Sequence, residues 1–175
     1  MEKDHGRPAL PIWWLTKDGD TACLNLYNRH YSAYRYADGR VRKLFCGPGE
    51  KLVLRTWEGD ACFVWRKFKD DSGQTGVNCA VFRNESAHLS SELIQQADAI
   101  ADICWPGERH YTYINAERIK STNPGWCFKI AGWKRCGMTK KNKLLIFEKC
   151  HAVSKLLHIS KDLRRSQSGV NFSDL

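Results

Sequence analysis

The chain has 175 residues and carries 28 lysines and arginines against 19 aspartates and glutamates, so its net charge is +9. This length suits one domain with a single hydrophobic core, and the absence of a run of about 18 apolar residues argues against a transmembrane helix. The first residues lack the apolar segment of a signal peptide, so we expect a soluble, cytoplasmic protein with no membrane partner. The positive charge favours an anionic partner, either nucleic acid or a phosphate-rich cofactor.

Eight cysteines are spread evenly along the chain, and none of them forms a Cys-x-x-Cys pair. In a reducing compartment such cysteines act as small hydrophobic residues of the core. Because paired spacing is the usual signature of structural zinc, the pattern does not favour a zinc site.

The N-terminal part of the sequence predicts a strand followed by a helix. An apolar run from Pro11 to Leu15 indicates the strand, and a polar turn at residues 17–20 ends it. Between Asp20 and His30 apolar residues recur at helical spacing, which places His30 at the C-terminal end of the buried face. A helix C-terminus favours a protonated imidazole, so we expect His30 to be charged more readily than usual.

Two polar clusters follow this helix. The first cluster, His30, Tyr31 and Ser32, is a candidate for catalysis. The alternative is a purely structural role, with the histidine at the edge of the core and two hydroxyl groups on the surface. The second interleaves aromatic and basic residues around a turn at Asp38 and Gly39, a composition that suits base stacking and phosphate contacts. Its candidate DNA-binding residues are Tyr34, Arg35, Tyr36, Arg40, Arg42 and Lys43, and the alternative is a solvated charged hairpin.

The middle of the chain predicts a series of strands and then a helix. Residues 44–46 and 51–57 read as a strand pair around a glycine turn, residues 61–68 as a central strand, and residues 78–83 as the next strand. A polar segment at 69–76 is predicted to be a mobile loop. Apolar residues from Leu93 to Cys104 then mark a helix face that ends at Trp105.

This strand, loop and helix unit is a candidate phosphate site. Backbone N–H groups and the positive end of the helix dipole face whatever lies before the helix, where we expect Ser90 or Ser91 to be the N-cap. The alternative is an ordinary connection between a strand and a helix.

The strand at residues 109–115 brings two tyrosines onto one face. Tyr111 and Tyr113 alternate with His110 and Thr112, so they become candidate acids or hydrogen-bonding groups. Two core tyrosines with paired hydroxyls are the alternative.

The last third of the chain predicts a short capped helix, a hairpin and a basic helix. Asn123 is the predicted N-cap, with Pro124 in the first turn, and Gly132 is the predicted left-handed stop. Strands at 133–139 and 143–148 would form the hairpin. We expect residues 151–165 to form a basic helix that packs on a domain of residues 1–150, and residues 166–175 to be disordered.

These features resemble the GNAT family of N-acyltransferases, on two motifs in particular. The first is an Asn that opens a helix and a Gly-aromatic pair that closes it, here Asn123 with Gly132 and Trp133. The second is the diphosphate loop after the fourth strand, which aligns with Arg83, Ser86 and His88; both family glycines are replaced. Where most members carry a proton-donating Tyr, this chain has Phe128.

The resemblance implies a fold and a cofactor. The fold would be a single mixed, mainly antiparallel sheet flanked by helices, with a splayed central strand pair and a C-terminal hairpin. The cofactor would be acetyl-CoA, with Arg83, Ser86, Ser90 and Ser91 at its phosphates and Asn123 and Phe128 beside its acyl arm. The alternative for the short helix is a capped helix in any α/β domain.

Shorter blocks are similar to the phage Mom-type DNA modification proteins, namely His30–Ser32, Cys79–Ser86, Tyr111–Tyr113 and Asn123–Phe128. This likeness implies an enzyme that adds a carbamoylmethyl group to the N6 amine of adenine in DNA, with His30, Tyr31, Ser32 and Tyr111 or Tyr113 facing the base. It also suggests iron, with His30 and Tyr31 as ligands, although spacing gives no support for a facial triad. Two alternatives remain: a conventional acyltransferase acting on a small amine or tRNA, and a non-catalytic nucleic-acid-binding protein.

Overall fold

The computed structural model describes residues 12–69 and 73–150, which form one seven-stranded sheet with three α-helices. In chain order the strands are β1 Trp14–Thr16, β2 Glu50–Arg55, β3 Ala61–Lys67, β4 Val77–Asn84, β5 His110–Ile114, β6 Lys134–Met138 and β7 Leu145–Lys149. The helices are α1 Thr21–Asn28, α2 Ser90–Cys104 and α3 Trp126–Ile130, and a 3-10 turn lies at Ala116–Arg118. The strand order is β1-β2-β3-β4-β5-β7-β6.

This architecture confirms the predicted fold class. Every strand pair is antiparallel except β4 with β5, and the helices flank the sheet on its two faces. Strand alternation explains the two layers: Phe63 and Trp65 of β3 pack toward α2 and α3, whereas Cys62 and Val64 pack toward α1. Each face of the central strands is therefore apolar, which is why β3 reads as a continuous hydrophobic run.

The parallel pair of strands separates part of the way along. Pairing between β4 and β5 runs from Val77 and His110 to Cys79 and Thr112, after which both strands continue apart. A β-bulge interrupts the register of β3 with β4 at Val64 and Trp65, next to this point. Bulges bend a strand and increase its twist, so the bulge accounts for the divergence of β4 from β5.

Three local predictions are wrong. Residues 44–46 form no strand; instead Asp18 accepts hydrogen bonds from the backbone N–H groups of Phe45 and Cys46, at 2.8 and 3.2 Å. The N-cap of α2 is Leu89 rather than a serine, and α3 starts later than predicted. Its N-cap is Gly125 with φ +80°, and the side-chain oxygen of Asn123 accepts a bond from Lys129 Nζ at 2.7 Å.

Other predictions hold in the described ranges. The hairpin of β6 and β7 forms, Gly132 has a left-handed φ of +91°, and the helix expected after Asp20 is α1. Asp20 caps it by accepting from the N–H of Cys23 at 3.0 Å, a role that was not predicted from the sequence. The cysteines divide: Cys23, Cys46, Cys62 and Cys79 are core residues, but Cys104, Cys136 and Cys150 are exposed. Exposed Cys104 contradicts the predicted helix face.

Some predictions lie outside the described residues. These are the strand position Pro11, part of the loop at 69–76, the basic helix at 151–165 and the tail at 166–175. Within the described ranges, none of the helices combines the length and apolar character that a bilayer crossing requires.

Candidate active site

The separation of β4 from β5 creates a cleft of about 1210 Å³. The parts of the chain that line it are the end of α1 with the segment that follows it, Arg66 of β3, the diverging strands, the segment from the 3-10 turn to α3, and the turn before β7. Of the predicted site residues it brings together His30, Tyr31, Ser32, Arg42, Tyr113, Asn123 and Phe128. The other predicted site residues are not among those that line it.

His30 lies just beyond the end of α1, stacked on the ring of Tyr31 with centroids 4.3 Å apart. Its Nδ1 receives the backbone N–H of Ser32 at 3.2 Å and lies 2.7 Å from the Ser32 hydroxyl. Because a backbone N–H can only donate, Nδ1 is an acceptor and a neutral ring carries its proton on Nε2. Burial and the positive charge of Arg83 lower the pKa of His30 to about 4, so the predicted readily protonated imidazole is wrong.

Tyr31 links the His30 segment to the start of the 3-10 turn across the cleft. Its hydroxyl oxygen accepts from the backbone N–H of Asn115 at 3.5 Å. Burial raises the pKa of the Tyr31 phenol above its ordinary value, so the group keeps its proton at neutral pH. A phenol that accepts one bond still has its own O–H to donate.

The two tyrosines of β5 differ in their positions. Tyr113 lines the cleft. Tyr111 is 1% exposed, and the guanidinium of Arg109 lies 5.0 Å from its ring centroid. The two rings contact each other edge to face at 5.7 Å. The alternative of two packed core tyrosines therefore describes Tyr111 well, and Tyr113 is the better candidate for a site role.

The α3 segment forms another wall of the cleft. Phe128 is 6% exposed and packs edge to face on Trp133 at 4.9 Å, so the Phe ring acts as a hydrophobic surface. Gly125 approaches Phe147 and Ile114 so closely that a Cβ there would lie 2.8 and 2.9 Å from their side chains. This close packing sets the position of α3 beside the cleft.

The predicted phosphate residues are divided between the two faces of the sheet. Arg83 pairs in register with Cys62, a residue of the α1 face, and donates to the carbonyl of Arg29 at 3.1 Å. Glu85 bridges the two arginines, which lower its pKa to about 2. Helix α2 packs on the opposite face, so Arg83 lies near His30 rather than beside Ser90 and Ser91.

The loop before α2 is closed by its own side chains. Asn84 Nδ2 donates to the carbonyl of His88 at 2.8 Å and to Ser90 Oγ at 3.0 Å, and its Oδ1 accepts from the N–H of Ser86 at 2.9 Å. The N–H of His88 donates to Ser86 Oγ at 3.2 Å. Two of the loop's N–H groups are thus occupied, and the N–H groups of the first helix turn remain the main donors there.

The predicted DNA-binding segment forms a cluster of rings and cations rather than a hairpin. Tyr34 and Tyr36 meet edge to face at 5.3 Å, Arg40 lies over Tyr36 at 4.7 Å, and Arg42 lies over Tyr34 at 5.4 Å. The predicted turn forms, since the N–H of Gly39 donates to the carbonyl of Tyr36 at 3.2 Å. The remaining candidates, Arg35 and Lys43, are exposed.

Several polar residues that line the cleft were not predicted from the sequence, among them Arg66, Asn78 and Asn115. Asn78 and Arg66 are polar residues within apolar strand sequences, and this pattern could have indicated a role in the site. Asn115 follows β5 directly and presents its backbone N–H to Tyr31.

The two groups that the resemblances imply, acetyl-CoA and iron, fit the cleft unequally. An acyl arm fits between the diverging strands, beside Asn123 and Phe128, whereas the loop before α2 offers a reduced set of donors for a diphosphate. For iron, no three His, Cys, Asp or Glu side chains converge within residues 12–69 and 73–150. The surroundings of His30 and Tyr31 thus do not supply the donor set of a facial triad.

Comparison with known proteins adds no relatives: no family model matches the chain, and a search of curated proteins finds no significant match.

Proposed function

We propose that the protein is a DNA-modifying transferase that adds a small carbonyl-containing group to the N6 amine of adenine. In the Mom-type proteins that the sequence resembles, this group is carbamoylmethyl. The observation that carries the proposal is the cleft between β4 and β5, with His30 and Tyr31 on one wall and Asn123 and Phe128 on another. A donor and an acceptor can meet there between two unpaired strand edges.

Residues of the diverging strands suit an acyl-CoA cofactor, which when bound would supply an acyl group through its thioester, with the free thiol as the leaving group. A carbamoylmethyl group is joined through its methylene carbon, so acyl transfer alone would not deliver it. Within the described residues, the β4 edge beyond Cys79 has no register partner on β5. Such an edge offers main-chain N–H and C=O groups to an extended amide-containing arm. Phe128 provides an apolar surface for the arm, and Ser90, Ser91 and the first-turn N–H groups of α2 are the donors for its phosphates.

Tyr31 is the proton donor that replaces the missing family tyrosine. Phe128 has no proton to give, whereas the Tyr31 phenol is protonated and lines the same cleft. His30 is a weak base because of its low pKa, and its Nε2–H suits hydrogen bonding to the acceptor base.

The aromatic and basic cluster next to the cleft suits DNA as the acceptor. Adenine N6 lies inside the duplex stack, so the base must be flipped out and held, at a cost of a few kcal/mol. Tyr34 and Tyr36 offer stacking surfaces, and Arg35, Arg40 and Lys43 are exposed cations for the phosphate backbone. The net charge of +9 strengthens such contacts.

The test is mass analysis of nucleosides from plasmid DNA of cells that express the protein. We expect a heavier deoxyadenosine with wild type, at least about a hundredfold less of it with Tyr31→Phe, which removes only the donating hydroxyl, and wild-type amounts with the control Ile103→Ala. Ile103 is exposed on α2 away from the cleft. Circular dichroism checks that each variant folds.

Other outcomes identify the alternatives. Unmodified DNA together with saturable acetyl-CoA binding would point to a conventional acyltransferase of small amines or tRNA. Unmodified DNA, salt-sensitive DNA binding and no cofactor binding would point to a nucleic-acid-binding protein without catalysis.

A further inference from the structure

Three polar side chains in the cleft have buried atoms without a hydrogen-bond partner. Arg66 and Asn78 are register partners on neighbouring strands β3 and β4, so their side chains leave the same face of the sheet. Asn78 is 5% exposed, and its Oδ1 is buried without a partner. The Nε of Arg66 is likewise buried and unpaired. Leaving such groups unsatisfied is costly, so each is a place where a ligand can bind favourably.

A second arginine, Arg42, also lines the cleft. Its Nη1 donates to the Tyr27 hydroxyl at 2.9 Å, and its Nε is buried without a partner. The wall beside Arg66 includes Gly47, where a Cβ would lie 2.7 Å from Arg66 Nη1. The backbone at Gly47 therefore holds the Arg66 guanidinium closely.

The charge of these two arginines is not balanced by neighbours. Over residues 12–69 and 73–150, eight other lysines and arginines pair with a carboxylate, among them Arg29, Arg83, Arg109 and Lys149, but neither Arg42 nor Arg66 does. Besides the Tyr27 hydroxyl, Arg42 contacts the ring of Tyr34 at 5.4 Å, and Arg66 contacts the ring of Phe68 at 5.6 Å. Two guanidinium groups with free donors in a cleft match the geometry of an oxyanion.

We propose that Arg42, Arg66 and Asn78 form a binding site for a small co-substrate that carries an oxyanion, either a carboxylate or a phosphate, and an N–H or O–H group. The arginines bind the oxyanion, and the Asn78 oxygen accepts the hydrogen. The unpaired atoms are buried inside the cleft, which suits a small molecule better than the backbone of a DNA duplex. The role of this ligand as a co-substrate rests on the proposed transferase function, whereas anion binding at the site is tested independently of the acceptor and of the group transferred.

The test follows the arginine Nε–Hε signals of the full-length protein by NMR during separate titrations with phosphate and with acetate at constant ionic strength. We expect the Arg42 and Arg66 signals to move and saturate with at least one anion. Arg135, exposed on β6 outside the cleft, is the internal control and should not respond in this way. Arg66→Lys assigns the Arg66 signal by removing it.

Two variants measure the contribution of the site. Arg66→Gln and Arg135→Gln each remove one positive charge, but only Arg66→Gln should weaken anion binding, by about tenfold to a hundredfold. Asn78→Asp places a negative charge beside the anion and should weaken binding at least as much. Their NMR spectra report whether each variant remains folded.

A stronger response to phosphate identifies a nucleotide-like or phosphorylated co-substrate, and a stronger response to acetate identifies a carboxylic acid; both support the site. The proposal is overturned if the Arg42 and Arg66 signals do not saturate with either anion, if all arginine signals drift together, or if Arg66→Gln and Arg135→Gln weaken binding equally.

Discussion

At the scale of single residues, His30 shows how burial can outweigh a favourable position. The end of a helix stabilises a protonated imidazole by roughly 0.3–1 kcal/mol at an exposed site. In the structure α1 ends at Asn28, and His30 is partly buried beside Tyr31 with the charge of Arg83 nearby. Desolvation and a nearby cation both oppose protonation, so the neutral ring prevails.

The titration of His30 is a direct prediction. By histidine NMR we expect a midpoint at about pH 4, well below the ordinary value of 6.5. Arg83→Gln removes the nearby charge and should raise the midpoint without restoring 6.5, because burial is the larger cause. A wild-type midpoint near 6.5 would show that the imidazole is solvated and available as a base.

The same shift predicts how stability depends on pH. Folding lowers the pKa of His30, so below about 6.5 the unfolded chain binds more protons and the folded state loses stability as pH falls toward about 4. Urea unfolding of wild type and His30→Gln between pH 7 and 4 measures this contribution. We expect the variant to lose less stability than wild type over that range, and equal losses would contradict the assignment.

At the scale of elements, the start of α3 depends on Gly125. The residue combines a left-handed φ of +80° with close approach to Phe147 and Ile114. The Asn–Pro sequence before it predicts a cap, but packing against β5 and β7 moves the helix start to the residue that tolerates both constraints. Sequence motifs alone do not report such a close approach.

Gly125→Ala should therefore destabilise the fold by about 2–4 kcal/mol, from the unfavourable φ and from overpacking together. Gly107→Ala is the matched control, since Gly107 has φ +75° but nothing within 4 Å of a new Cβ. We expect the control to lose only about 1 kcal/mol, from backbone strain alone. Chemical denaturation of both variants measures the loss in the free energy of unfolding. Similar losses would mean that the close contacts around residue 125 relax easily.

At the scale of the whole molecule, Asp98 connects α2 with the half of the sheet formed by β5, β7 and β6. This 2% exposed residue accepts from His110 Nδ1 at 3.0 Å, Trp133 Nε1 at 3.0 Å and Lys149 Nζ at 2.9 Å. The partners belong to β5, to the segment before β6, and to β7. One carboxylate thus holds together the strands whose positions define one side of the cleft.

Asp98→Asn should cost about 3–5 kcal/mol in the free energy of unfolding, because removing a charge from a buried pair leaves its partners unsatisfied. Glu108→Gln is the control, since it removes a carboxylate from the half-exposed pair of Lys67 and Glu108 at 2.7 Å. That change should cost at most about 1 kcal/mol. Equal effects in urea denaturation would show that Asp98 is no more important than a surface ion pair.

By itself the sequence determined the order of most elements, the mixed α/β class and the apolar central strands, because hydrophobic periodicity and turn residues are local signals. It also identified the His30, Tyr31 and Phe128 segments that the fold brings to one cleft. Only the tertiary structure decided that the side chain of Arg83 lies on the sheet face opposite α2. It also decided that Asp18 binds the backbone of Phe45 and Cys46 in place of a predicted strand pairing. Finally, it placed Arg66 and Asn78 side by side on neighbouring strands, each with an unpaired buried atom. These outcomes depend on strand register, the bulge and contacts between residues distant in sequence, which local patterns do not encode.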